Sequence, residues 1–343
     1  MRHSSFLRAL RGEAVWTPPT WLMRQAGRYL PEYRAVRANA GDFLTMCYTP
    51  ELAAEVTLQP IRRYALDAAI VFADILLIPH ALGVSLRFAE GEGPKLDPIR
   101  DAAGLARLTD ASSAAAKLTP IYETLSLVRA KLPPQVALIG FAGAPWTVAT
   151  YIVEGGGSSD QAAAKLWAYR DPAGFAQLID VLTDATILYL ENQIEAGADA
   201  LQIFESWASG LPEPMFERLC IRPAARIVAA VKARHPHIPI IGFPRGSGVL
   251  AVRYAAETGI DAMSLDPSQP IGWMRAQLKR PIALQGNLDP LALVAGGEAL
   301  AAGVREILTA AKGSPFVFNL GHGIIPQTDP EHVQTLVDLV RGG

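Results

Sequence analysis

The chain has 343 residues, 50% of them hydrophobic and 19% charged, too apolar for a disordered polypeptide and ample for a large buried core. Its 31 basic and 33 acidic side chains leave a formal charge of −2, so no basic excess exists to neutralise a nucleic-acid backbone. Two cysteines, Cys47 and Cys220, exclude a disulfide framework and a four-cysteine metal site and fit a reducing, cytoplasmic setting.

The first residues, MRHSSFLRALRGE, hold neither a long apolar run nor a cleavage site, so no secretory signal is expected. No stretch of about 18 residues is free of charges and breakers, and a membrane span is not expected either. Short apolar runs then alternate with helix-length segments. The runs predicted as strands are Pro19–Met23, Ala68–Phe72, Val136–Phe141, Ala200–Phe204, Ile238–Phe243, Ile260–Leu265, Pro281–Gln285 and Phe316–Leu320. Continuous rather than alternating apolar runs suit strands buried on both faces of a parallel sheet. Eight of them predict a (β/α)8 barrel as one domain over residues 1–343, with a doubly wound sheet as the alternative. The first run is the weakest, because Pro18 and Pro19 stand at its start. Between strands, Thr183–Ala196 places Ile187, Leu190 and Ile194 on one helical stripe closed by Gly197. Asp171-Pro172 and Asp329-Pro330 read as an N-cap followed by a first-turn proline.

In such a barrel, chemistry sits at the C-terminal ends of the strands. Asp74 stands alone in the apolar stretch VFADILLI, and a carboxylate there needs a partner or a cavity. It is either a structural Asp, paired with an arginine or capping backbone N–H groups, or a carboxylate facing a pocket. Arg24 and Arg28 are four apart. On a helical turn they would share a face, either paired with Glu32 or Asp42 or forming a clamp for anionic ligands. His322 lies between two glycines after FVFNL, where the backbone can approach a ligand closely. Tyr151 precedes the glycine-rich Glu154–Ser159, which reads as a mobile loop near a cleft and matches no phosphate-binding motif; Tyr151 by itself reads rather as a core aromatic. No His-x-Cys or Cys-x-x-Cys occurs, so a thiolate zinc site has no support, and Ser206 lacks the elbow of a serine nucleophile.

Two long signatures go further. PTWLMRQAGRYLPEYR over residues 19–34 and GFAGAPWT over residues 140–147, running on to Tyr151, closely resemble the uroporphyrinogen decarboxylase family. So do LDAAIVFADILLIP (66–79), QIFES (202–206), LQGNLDP (284–290) and NLGHG (319–323), in family order along nearly the whole chain. The resemblance implies a single (β/α)8 barrel, a homodimer in the cytoplasm, and an enzyme working without metal or organic cofactor on uroporphyrinogen III, a tetrapyrrole whose acetate side chains it converts to methyls. It also implies site residues. The segment Arg24-Gln25-Ala26-Gly27-Arg28 and Arg37 contact substrate, Asp74 is the central catalytic carboxylate, and Tyr151, Ser206 and His322 are further substrate contacts. Trp207-Ala208-Ser209 after Ser206 departs from the expected loop composition. A corrinoid-linked methyltransferase and a non-catalytic tetrapyrrole-binding protein are the other classes considered. The first needs a zinc-thiolate site, for which Cys47 and Cys220 have no suitable neighbours, and the second is disfavoured by Asp74 and the two arginines.

Overall fold

Seven parallel strands hydrogen-bond in the order in which the chain lays them down, in a computed structural model that describes residues 4–89 and 93–343. They are β1 (Ala68–Ile70), β4 (Ala137–Gly143), β5 (Ala200–Glu205), β6 (Ile240–Pro244), β7 (Ala262–Ser264), β8 (Ala283–Leu288) and β9 (Phe316–Leu320). Between β1 and β4 an antiparallel pair, β2 (Leu86–Ala89) and β3 (Gly93–Leu96), stands apart from this sheet. Helices cross over from each strand to the next, which is the connection that parallel pairing demands. Register is close: Ile139 faces Ala200, Gln202 faces Ile241, and Leu284 faces Phe316.

The run Pro19–Met23, expected as the first strand, is not one; a single bridge joins Thr20 to Phe318. Prolines 18 and 19 have no N–H to give a ladder. The run nevertheless bonds to both edges of the sheet. Phe318 N–H donates to Pro19 O (2.9 Å) and Trp21 N–H to Phe318 O (3.4 Å), while Asp67 N–H donates to Thr20 O (2.9 Å).

The sheet curls around a core of its own. Five strands begin with an inward alanine, namely Ala68, Ala137, Ala200, Ala262 and Ala283. These small side chains leave room for the helix Ser5–Leu10, whose Phe6 and Leu10 pack among them. Phe6 is fully buried, so its truncation to alanine costs about 3–5 kcal/mol. Further along the strands the interior turns polar. Trp21 Nε1 donates to Gln285 Oε1 (2.9 Å), and Gln285 Nε2 donates to Gln202 Oε1 (3.0 Å). Buried amides are tolerated because they satisfy each other.

A second, larger core lies between the sheet and the surrounding helices. Its longest element is Pro172–Glu195, started by Asp171, whose side chain accepts from Gly174 N–H. This helix begins eleven residues before the predicted one. By length and composition it is apolar enough to cross a membrane, although its apolar stretch carries Asp180 and Asp184. Here Phe175, Leu178, Leu182 and Leu190 are buried in the protein core, and the outer face carries Asp180 and Asp184, both paired with Arg226. The glycine-rich segment after Tyr151, expected as a mobile loop, is held at its first glycine. Gly155 caps the helix Pro145–Glu154 at φ +80° and accepts from Leu96 N–H of β3 (3.0 Å).

Candidate active site

The C-terminal ends of the strands collect the residues singled out from sequence. Residues 24–30 form turns rather than a helix, so the shared helical face assumed for Arg24 and Arg28 does not exist. Arg24 instead takes a left-handed backbone, φ +60°, which costs a residue with a Cβ of order 1 kcal/mol and persists only when its neighbours enforce it. Gln25 supplies that enforcement. It is buried, its Oε1 accepts from Leu22 N–H (3.0 Å), and its Nε2 donates to Ala68 O at the start of β1 (3.1 Å). Its amide is thus spent on holding the turn. Tyr29 Oη donates to Gln25 O (2.8 Å), and Arg34 Nη1 donates to the carbonyls of Arg28 and Tyr29 (2.8 and 3.0 Å). The turn then presents Ala26 and Gly27, both half-buried, and the exposed Arg28.

Gly323 is required by close approach. A Cβ at that position would lie 2.4 Å from Arg24 Cδ and 2.6 Å from Cγ. The two loops are fastened by Ile324 N–H donating to Met23 O (2.8 Å) and by Asn319 Oδ1 accepting from Met23 N–H (3.0 Å).

Asp74 follows β1 in a loop, not in a strand. One oxygen accepts from Leu76 N–H (2.8 Å). Burial pushes its carboxyl above the usual range, opposed by that N–H and by the positive charge of Arg24. Among the described residues no cation lies within ion-pair distance of it, so of the structural alternatives the ion pair has no partner here, whereas the backbone cap is present in the Leu76 bond. The carboxylates proposed to neutralise the arginines are engaged elsewhere: Glu32 pairs with Arg63 (3.3 Å), and Asp42 caps Thr45 N–H (2.9 Å). Arg37, on the helix Pro31–Asn39, donates to Gly41 O (2.9 Å). Tyr33 reports how near these groups lie. Burial raises its phenol to about 12, while the charges of Arg37, Arg28 and Asp74 all act on it.

The opposite wall holds Tyr151 on the helix Pro145–Glu154, its ring 6.1 Å from that of Trp207. Burial raises the Tyr151 phenol, opposed by a hydrogen bond with Trp207, and the charges of Asp74 and Arg24 act on it more weakly. Ser206 follows β5, half-buried, its N–H donating to Thr147 Oγ1 (2.8 Å). His322 is pulled down to about 3 by burial and by the charges of Arg245 and Arg24, so it is neutral at pH 7. Arg245, at the end of β6, is the residue that the sequence reading passed over. Its signal was the Pro-Arg-Gly immediately after an apolar run. Among the described residues, Arg24, Arg28, Arg37 and Arg245 have no carboxylate within ion-pair distance, a trait shared with arginines such as Arg34 and Arg218, whereas Arg226 and Arg253 have two or three. No group of three or more His, Cys, Asp or Glu side chains able to hold a metal is present among the described residues; His3 lies outside them.

A buried carboxylate influenced by Arg24, together with guanidiniums that have no carboxylate of their own, suits a ligand with many acidic groups and a cationic or proton-rich centre. Known proteins agree in both fold and sequence. A methyltransferase from Methanosarcina mazei superposes with a TM-score of 0.79 over 98% of this chain and 97% of its own, at 22% identity, a likeness of fold alone. Uroporphyrinogen decarboxylase of Paracoccus denitrificans (strain Pd 1222) is 54% identical over 342 residues, covering 100% of both chains. That of Brucella anthropi is 55% identical over 337 residues, 98% of each chain. The profile of the family described as Uroporphyrinogen decarboxylase (URO-D) matches residues 1–343. With the site geometry, the full-length profile match and more than half of all positions shared, this chain belongs to the uroporphyrinogen decarboxylase family.

Proposed function

We infer that this chain is a carboxy-lyase of tetrapyrrole biosynthesis that converts the four acetate side chains of uroporphyrinogen III to methyls, giving coproporphyrinogen III. The observation that carries the reading is the charge arrangement: Asp74 without an ion-pair partner and under the influence of Arg24, with Arg24, Arg28, Arg37 and Arg245 free of carboxylates of their own. The substrate's carboxylate rim suits Arg24, Arg28, Arg37 and Arg245, and its inward pyrrole N–H groups suit Asp74.

The chemistry follows from that placement. Breaking the bond between an acetate methylene and its carboxylate leaves an electron pair that needs a sink. Protonation of the pyrrole at a ring carbon provides one. The pyrrolium is opposed by the Asp74 carboxylate in a site shielded from water, where such a charge acts strongly. Carbon dioxide leaves, the pair moves into the ring, and a proton delivered to the exocyclic carbon with loss of the ring proton gives the methyl. Each cycle consumes one proton and releases one carbon dioxide. Tyr151, Ser206 and His322 line the path to the reacting side chain, and His322 hydrogen-bonds carboxylates either as the neutral ring or as the cation that a bound anion would create. The turn Gln25-Ala26-Gly27 shapes the floor under Arg24 and Arg28.

Three wider statements belong to the same reading. The bonds from Pro19–Trp21 to Phe318 and Asp67 support closure of the seven strands into an eight-membered barrel. The larger core runs without interruption from Leu22 to Val340, which supports one domain over 1–343. The family resemblance and two buried free thiols support a cytoplasmic homodimer. The test of function is anaerobic incubation of the purified protein with uroporphyrinogen, followed by mass spectrometry. Successive losses of carbon dioxide ending at the tetracarboxylate are expected, and an unchanged substrate would refute the reading.

A further inference from the structure

Behind the pocket wall, on the outer face of β5, lies a buried acid that the reaction as described does not use. Glu205 has no solvent exposure. Its Oε1 accepts a hydrogen bond from Thr147 Oγ1. Thr147 sits in the first turn of Pro145–Glu154, and its Oγ1 also accepts from Ser206 N–H (2.8 Å) and Trp207 N–H (3.3 Å). A hydroxyl has two acceptor positions and one proton. With both acceptor positions filled, the Thr147 proton has one direction left, toward Glu205. The loop that follows β5 is thereby tied to the neighbouring helix through one side chain. A further bond, Trp146 Nε1 to Trp207 O (2.9 Å), completes the tie. Ser206 and Trp207 are the residues that this loop turns toward Tyr151.

We propose that Glu205, through Thr147, is a positioning residue that holds Ser206 and Trp207 in the geometry that decarboxylation requires. The proposal rests on the decarboxylase reading above. The surroundings of Glu205 define its working form. Oε2 has no hydrogen-bond partner, the Cys220 thiol adjoins the carboxyl from the segment Glu217–Ile221, and the Tyr254 ring lies close on the helix Leu250–Glu257. No cation faces it from any of these elements. Burial accordingly pushes the carboxyl up to about 8, even though Thr147 and Cys220 work in the opposite direction. At neutral pH Glu205 is the protonated acid. Ionisation would place an unpaired charge in the core and load the Thr147 contact with it.

The experiment compares Glu205→Gln, Glu205→Leu and Thr147→Val with the wild type, by steady-state kinetics from pH 6 to 9 and by thermal unfolding. Gln keeps a neutral side chain with an acceptor oxygen. It should keep kcat/KM within about threefold and lack the fall in activity expected of the wild type above about pH 8. Leu removes the acceptor and leaves the Thr147 hydroxyl without one. It should stay folded and lose about tenfold or more in kcat/KM, as should Thr147→Val, and the double variant should be no worse than either single one. If Glu205→Leu does not fold, the Thr147→Val and Glu205→Gln results decide. Wild-type kinetics in a folded Thr147→Val or Glu205→Leu, or an alkaline fall shared by the wild type and Glu205→Gln, would overturn the proposal. Failure of the decarboxylase reading itself would appear separately, as an inactive wild type.

Discussion

Gly323→Ala probes how tightly the site is built around Arg24. The backbone at 323 lies outside the left-handed region, so alanine brings no conformational penalty, and the residue is buried at the end of the NLGHG stretch. The added methyl would sit 2.4 Å from Arg24 Cδ, 2.6 Å from Cγ and 2.9 Å from Nε. Ordinary carbon–carbon contact needs roughly 3.5–4.0 Å, so the arginine stem must move by about 1 Å. Arg24 cannot yield by relaxing its backbone without disturbing Gln25, whose amide is bonded at both ends. The guanidinium therefore swings away from the position in which its charge acts on Asp74 and His322. Displacements of about 1 Å at a positioning group cost on the order of 10²-fold in rate. Anaerobic kinetics on uroporphyrinogen should show kcat/KM reduced by about 10–100-fold, with the thermal midpoint lowered by only a few degrees. Unchanged kinetics would refute the placement of Arg24 at the reacting centre, and loss of folding would refute the claim that only the arginine stem fills that space.

Arg28, exposed and without a carboxylate partner, acts on binding rather than folding. Arg28→Ala should raise KM about three- to tenfold with an unchanged unfolding midpoint, and wild-type kinetics would reduce it to a surface charge. His322 is neutral because burial and two arginines oppose its protonation. Its folded value of about 3 lies below the unfolded one near 6.5, so stability is lost as pH falls through that window. Substrate carboxylates reverse the local field, so product or analogue binding near pH 6 should take up protons in calorimetry across buffers of different ionisation enthalpy, and His322→Gln should remove that uptake. Activity should survive exhaustive chelation, because no metal-holding cluster is found among the described residues; loss restored by zinc alone would contradict this.

Much of the architecture was legible because parallel strands buried on both faces are written as continuous apolar runs, and seven of the eight predicted runs became strands within a few residues. The eighth, Pro19–Met23, failed for a local reason: two prolines remove the donors, and what remains is a few bonds to Phe318 and Asp67. The pair β2–β3 was missed because LRFA and GPKL carry no alternation strong enough to stand out. At the site, Asp74 was visible as a lone charge in an apolar stretch. The relation between Arg24 and Arg28 was misjudged, since sequence spacing carries no information on a left-handed residue at 24. Arg245 and Glu205 were visible at the ends of apolar runs, but their roles, the latter's through Thr147, were not legible, for a different reason. Their importance comes from groups brought together by the sheet, 58 residues apart in the second case, and no local pattern encodes that.

The most direct measurement concerns Asp74. Asn at this position keeps the size and an oxygen to accept from Leu76 N–H but removes the charge, whereas Glu keeps the charge on a longer arm. Removing one preorganised electrostatic group costs about 10²–10³-fold in turnover. Turnover of Asp74→Asn should fall by that factor while substrate still binds and the protein unfolds at a near-normal temperature, and Asp74→Glu should retain more activity than Asn. Near-normal turnover in a folded Asp74→Asn protein would contradict the role of this carboxylate as the counter-charge of the decarboxylation.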